Sequence, residues 1–217
     1  MAAALSEENR QLNTIRFIDA TRQLIDEDGL EGVSIRKIAE KAGFHNSTIY
    51  LYFKDVNQLI LLASLKHFGE YSRALSAQIQ KHESILDNYF AVWSFFCQTV
   101  FGKPQIFYNF FFGKYSNNLT DTILQYYDLF PEEKIEYPKE IEEMYYAKNI
   151  HERGLVFLRP LIALELPRVT SENVELVNDI IISCLQVLLE EKCQIPQADS
   201  DVFTKRLLDM IHYIIGA

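Results

Sequence analysis

Residues 34–53 read SIRKIAEKAGFHNSTIYLYF, two short helical runs around one glycine. Ser34 is a residue type that caps a helix, and the run behind it, to about Ala42, carries Ile38, Ala39 and Ala42 at helical spacing. Gly43 supplies a turn, and a second run extends from His45 or Asn46 to Tyr52. Two short helices around a three- or four-residue glycine turn have helix-turn-helix geometry. Ile38, Ala39 and Ala42 are expected to pack on Ile49 and Phe53, which leaves Asn46, Ser47, Thr48 and Tyr50 facing outward. Short amide and hydroxyl side chains can hydrogen-bond base edges, and an amide matches adenine bidentately. Tyr50 and Lys54 suit phosphates. A plain pair of core helices would share the apolar spacing, so the outward polar set separates the two readings.

Working outward, a first helix opens at Ser6 with Glu7 and Glu8 in its first turn, shows Ile15, Ile18, Leu24 and Ile25 along one face, and stops at Gly29. Asp55 followed by Gln58 has capping-box spacing and opens a long helix to about Lys81. With only 8 glycines and 6 prolines in 217 residues, and apolar spacing of three and four, the chain reads as helical throughout. Gly102–Pro104, Pro131, Pro138, Pro160, Pro167 and Pro196 divide the remainder into further helices. The expected fold is all-α: an N-terminal three-helix helix-turn-helix domain over residues 1–54, joined by a long helix to a larger helical domain over 55–217.

Composition narrows the class. Apolar residues are 48% and charged residues 24%, an ordinary globular mix, and no apolar run reaches the roughly 18 residues of a membrane span. The start, Met1 to Glu8, has neither the basic residues nor the apolar core of a signal peptide, and Cys97, Cys184 and Cys193 show no CxxC spacing. Both point to the cytoplasm and away from disulfides. The net charge of −9 opposes nucleic-acid binding on average. Between Ser34 and Lys54, however, Arg36, Lys37, Lys41 and Lys54 face Glu40 alone. The acidic residues just upstream, Asp26, Glu27, Asp28 and Glu31, would have to turn away from phosphates.

The segment Phe17 to Leu59 resembles the TetR-type transcriptional regulators. The likeness rests on Asp19, Ala20, Gly29, Ser34, Ile38, Ala39, Ala42 and Gly43 and on a T-[LI]-Y-x-[YH]-F element, here Thr48 to Phe53. The resemblance implies that Ser34, Tyr50 and Lys54 contact phosphates while Arg36, Asn46, Ser47 and Thr48 approach bases. His45 stands where the family often has a serine cap. Leu51 and Val56 replace residues that are often polar, so phosphate contacts are fewer and Leu51 can meet a thymine methyl.

After Lys81 no signature continues. Twelve aromatics fall among the 27 residues from Tyr89 to Tyr115. Trp93, Phe96 and Val100 recur at core spacing, yet the excess suggests a cavity for an apolar or aromatic small molecule, with Tyr89, Trp93, Phe96, Phe107, Tyr108, Phe111 and Tyr127 as its candidates. Near the end, Val174, Val177, Ile181, Cys184 and Leu188 form one seam and Phe203, Leu207, Met210 and Ile214 another, with Ile180, Leu185, Leu189 and Ile211 widening the apolar surface. The resemblance implies a homodimer through these two helices, about 171–191 and 201–215. Val177, Ile181, Cys184, Leu188, Phe203, Leu207, Met210 and Ile214 are the candidate interface. A two-fold dimer requires a pseudo-palindromic duplex operator.

No cofactor, metal or catalytic site is expected. His67, His82, His151 and His212 lack ligand spacing, and GxSxG, GxGxxG and phosphate-loop patterns are absent. His151, Glu152 and Arg153 could line a cavity but read first as an exposed helix face, and the acidic run Glu132 to Glu143 reads as a solvated helix surface, with a cation-ligand or partner contact as the rarer alternative. The expectation is a ligand-responsive DNA-binding regulator, a repressor released by an apolar or aromatic molecule. The alternatives are a helical small-molecule-binding protein or enzyme with a structural N-terminal domain, and a DNA-binding regulator controlled by a protein partner.

Overall fold

The computed structural model describes residues 7–79 and 84–217, which are helical with no strand among them. Ten α-helices follow in order: α1 Glu7–Asp28, α2 Ile35–Ala42, α3 Val56–Ile79, α4 Ile85–Gly102, α5 Pro104–Phe112, α6 Leu119–Leu129, α7 Lys139–Tyr145, α8 Ile150–Leu158, α9 Val174–Gln194 and α10 Ser200–Ile215. Between α2 and α3, Asn46–Leu51 is a 3-10 helix, termed here the reading turn. The short helix expected there takes, over six residues between a cap and Tyr52, the tighter form used for short pieces. The expected opening at Ser6 and the expected end of the fourth helix near Lys81 lie outside the described residues. No described helix is long and apolar enough to cross a membrane.

Two compact units result, the first of residues up to Lys66 with Asp121–Lys134, the second of His67–Thr120 and Ile135–Ala217. Helices α3 and α6 each begin in one unit and end in the other.

In the first unit the local signals act as written. Gly29 has φ +69 just after α1, and Gly43 sits left-handed at φ +79 after α2, a region open to glycine without a Cβ clash. The Ser34 hydroxyl oxygen accepts from the Lys37 N–H. Asp55 accepts from the Gln58 N–H at 3.0 Å, and Gln58 reaches back to accept from the Lys54 N–H at 2.8 Å, a capping box displaced by one residue. Phe17 lies at the centre of the core, stacked on Phe44 at 4.8 Å and edge-on to Phe53 at 6.0 Å, with Ile38, Ala39 and Ile49 buried around it. The residues after α6 close over α1. The Arg22 guanidinium pairs with Glu133 at 3.2 Å and Asp19 at 3.1 Å, donates to the Tyr126 hydroxyl, and lies 4.2 Å from the Phe130 ring. The acidic run is therefore not one solvated helix. Glu133 belongs to this clasp, residues 134–138 are neither helix nor strand, and α7 buries Ile141, Met144 and Tyr145.

The second unit is an aromatic core inside a helical shell. Phe68 stacks on Phe110 at 4.6 Å and on Tyr145 at 4.9 Å, and α4 packs against both α9 and α10. Helices α8 and α9 approach closely because residue 154 is glycine. A Cβ there would overlap the side-chain oxygen of Asn178, whose amide donates to the His151 carbonyl at 2.9 Å. Gly154→Ala should lower stability by about 1–3 kcal/mol through overpacking. Urea unfolding should show a reduced midpoint at unchanged slope.

Candidate functional site

The reading turn is built to present its side chains. His45 caps it, its Nδ1 accepting from the Ser47 N–H at 3.3 Å, so histidine does the work expected of serine at that position. From α1, Arg10 donates to the Leu51 carbonyl at 2.9 Å and Asn13 donates to the Tyr52 hydroxyl at 2.9 Å, fixing the far end. Asn46, Ser47, Tyr50, Leu51 and Lys54 are exposed, as are Ser34 and Arg36, and Thr48 is half-buried. The Ser34 oxygen serves α2 as a cap, while its hydroxyl proton stays available to an acceptor.

The local positive charge is smaller than composition suggests. Lys37 pairs with Asp28 at 2.9 Å and Lys41 with Glu27 at 2.6 Å, and the Lys37 hydrogen bond holds the Asp28 carboxyl below its usual range. Two of the upstream acids are thus spent on two of the four cations. Arg36 and Lys54 make no ion pair among the described residues.

The second unit holds a cavity of about 40 Å³, lined by Tyr71, Val92, Trp93, Phe96, Met144, Ile150, Arg153, Gly154, Phe157 and Ile182. Of the seven aromatic candidates, Trp93 and Phe96 reach it. Tyr89, Phe107 and Phe111 are buried in ring packing instead: Tyr89 lies edge-on to Trp93, and Phe107 and Phe111 stack on one another. Tyr108 donates to Glu190 at 2.7 Å, and this bond raises its phenol above the usual range. Tyr127 packs on Tyr126 in the first unit. Arg153 corrects the expectation of an exposed face, for it is 3% exposed and its guanidinium lies 4.2 Å from the Phe68 ring. Burial pulls its pKa down to about 10. Burial likewise pushes the Tyr71 phenol up, partly opposed by the Arg153 charge.

Helices α9 and α10 carry two apolar stripes each. Val177, Ile181, Leu188, Phe203 and Leu207 face the protomer's own core, which removes five of the eight candidate interface residues. Leu176, Ile180, Val187, Met210 and Tyr213 are exposed, with Cys184 and Ile214 half-buried among them. An open groove of about 430 Å³ runs between the helices, lined by Ile180, Cys184, Val187, Arg206 and Met210 among others.

Residues 17–63 match the family model described as bacterial regulatory proteins, tetR family. The segment from Phe17 through the reading turn to the first turns of α3 is the part matched. Residues 17–63 form a tetR-family domain. Within that tetR-type domain lie every candidate DNA contact and both capping residues, Ser34 and His45. Curated relatives extend the match only a little. The fatty acid metabolism regulator protein of Bacillus subtilis is 30% identical over 67 residues, 31% of this chain and 34% of that protein. An HTH-type transcriptional regulator of Staphylococcus aureus is 33% identical over 82 residues, 38% of each chain. The matched region spans little more than a third of these relatives' length. Solved structures share the fold across nearly the whole chain. The regulator FadR of Bacillus subtilis in complex with stearoyl-CoA is 17% identical with a TM-score of 0.54, covering 93% of this chain and 98% of that one. RolR in complex with resorcinol is 20% identical with a TM-score of 0.59, covering 94% and 89%. The fold shared with these two structures therefore extends beyond residues 17–63, and α8, with Arg153 and Phe157 at the cavity, lies in that extension.

Proposed function

We propose that the chain is a DNA-binding transcriptional regulator that acts as a homodimer and is released from a pseudo-palindromic operator by a small molecule. The reading carries over what the relatives' names say of those proteins. Its main support is the reading turn: a capped, buttressed six-residue helix that turns Asn46, Ser47, Tyr50 and Leu51 to solvent inside a tetR-type domain. A structural module would have no use for that exposed set. Residues 1–54 are the proposed DNA-binding domain and 55–217 the ligand-binding and dimerisation domain. Arg36, Asn46, Ser47 and Thr48 read bases, Leu51 meets a thymine methyl, and Ser34, Tyr50 and Lys54 hold phosphates. The partner copy covers Leu176, Ile180, Val187, Met210 and Tyr213. Two reading turns then enter successive major grooves about 34–36 Å apart.

Selection from random duplex oligonucleotides tests this reading: it should enrich a two-fold sequence, and recovery of no preferred sequence overturns it. On the selected operator, Asn46→Ala or Thr48→Ala should cost about 1–3 kcal/mol and relax one base pair. Lys54→Ala should weaken all sequences alike and lower the salt slope by about one unit. Asp28→Asn should do the reverse, because it releases Lys37 from its ion pair and adds a cation for phosphates.

A further inference from the structure

Arg153 stands out as a buried cation without an acid. Its Nη1 donates to the Tyr145 carbonyl at 3.1 Å, whereas its Nη2 is buried and has no hydrogen-bond partner. Among the described residues no carboxylate pairs with it. The Phe68 and Phe111 rings, 4.2 and 5.6 Å from the guanidinium carbon, give it aromatic faces but no acceptor. Burying a charge in this way is costly, and an apolar side chain of similar volume would serve packing better. The same residue lines the cavity whose other walls include Trp93, Phe96, Met144 and Ile182.

We propose that the cavity takes a monocarboxylate with an apolar body, the carboxylate seated on Arg153 and the body against Trp93 and Phe96. A guanidinium offers a planar fork that matches two carboxylate oxygens, and Nη2, which has no protein partner, would supply one prong once a widened cavity uncovers it. The apolar walls demand an apolar body. Arg153 is the one cation among the cavity residues, so a di- or trianion such as a nucleotide phosphate would leave charge uncompensated. This sharpens the regulator reading and rests on it only for the effect at the operator.

Trp93 is the sole tryptophan and lines the cavity, so its emission reports occupancy. The full-length protein should be titrated with octanoate and benzoate and, as neutral counterparts, 1-octanol and benzyl alcohol, with operator binding followed in parallel. At least one acid should bind tenfold or more tightly than its alcohol. In Arg153→Met that preference should vanish while alcohol binding persists, and Arg153→Lys should restore part of it. Equal affinity for acid and alcohol in the unaltered protein, or no Trp93 response to either acid, overturns the proposal even if the Met variant fails to fold. Persistence of the preference in Arg153→Met also overturns it. Alcohols that release the operator as well as acids do would leave the regulator standing without its carboxylate head. An acid that binds with the expected preference yet leaves operator affinity unchanged would uphold the site and overturn ligand control.

Discussion

Glutamate at both Ile180 and Val187 should yield a protomer that folds normally, sediments as a monomer at micromolar concentration, and binds the operator about a hundredfold or more weakly. Both side chains are exposed, 42% and 62%, and stand about two helical turns apart along the outer stripe of α9. In the protomer a carboxylate there meets water. In the proposed dimer it would be buried against the partner's apolar stripe, where the groove's Arg206 is already paired with Glu191, at a cost of several kcal/mol per charge. The loss at the operator is large because each monomer holds only one half-site, and the second contact is no longer intramolecular. Ile181→Glu should behave differently: at 1% exposure Ile181 belongs to the protomer core, so the variant should lose its cooperative unfolding transition before any question of assembly arises. Sedimentation and thermal melting together separate the two outcomes. A double variant that remains dimeric would exclude this face as the interface.

Replacing Arg22 by methionine should lower stability by about 2–4 kcal/mol and abolish the operator's response to ligand while ligand binding itself remains. Arg22 joins α1 to Tyr126, Phe130 and Glu133, and burial together with the Glu133 hydrogen bond pushes the Tyr126 phenol well above its usual range. The phenol therefore stays protonated and donates to Glu133, whose charge would lose its principal cation. The far end of α6 is anchored differently. The Leu119 N–H donates to the Lys148 carbonyl at 2.9 Å and the Thr120 hydroxyl to the Tyr146 carbonyl at 2.8 Å, both immediately before α8 and Arg153. One continuous helix thus links the chain segment preceding the cavity arginine to the clasp on α1. A ligand can shift this linkage only by its differential affinity, about 1–3 kcal/mol, so a weakened clasp is enough to break it. Trp93 titration alongside operator binding measures both halves; a Met variant that still releases DNA on ligand addition would rule α6 out as the route.

The first unit was legible because its signals are local. Ser34, Gly29 and Gly43 each act within one turn of themselves, and Ile38, Ala39 and Ile49 need only each other and Phe17 to be buried. The cavity was less legible because an aromatic count does not distinguish rings that line a void from rings that fill one. Trp93 and Phe96 reach the cavity, whereas Phe107 and Phe111 spend their faces on each other. Arg153 did leave a trace: Ile150, Gly154, Phe157 and Leu158 mark its side of α8 as the apolar one, and a charged residue on such a stripe signals a buried cation. The seams of α9 and α10 misled for a general reason. The most regular apolar stripe on an amphipathic helix is the one its own chain buries, so the proposed interface uses the broken second stripe of Ile180, Val187 and Met210, interrupted by Ser183 and Arg206.

The cavity beside Arg153 offers about 40 Å³, well short of the roughly 150 Å³ of an apolar cavity that admits a benzene-sized guest. An eight-carbon acid needs several times that room. Entry of the proposed ligand would draw on a widened form of the cavity, and the apparent dissociation constant would exceed the intrinsic one by the reciprocal of that form's population. The observed binding rate then levels off as concentration rises, at the frequency with which the walls part. A regulator of the proposed kind would then have a clock: sustained exposure would be registered, and a pulse briefer than the opening interval would pass unread.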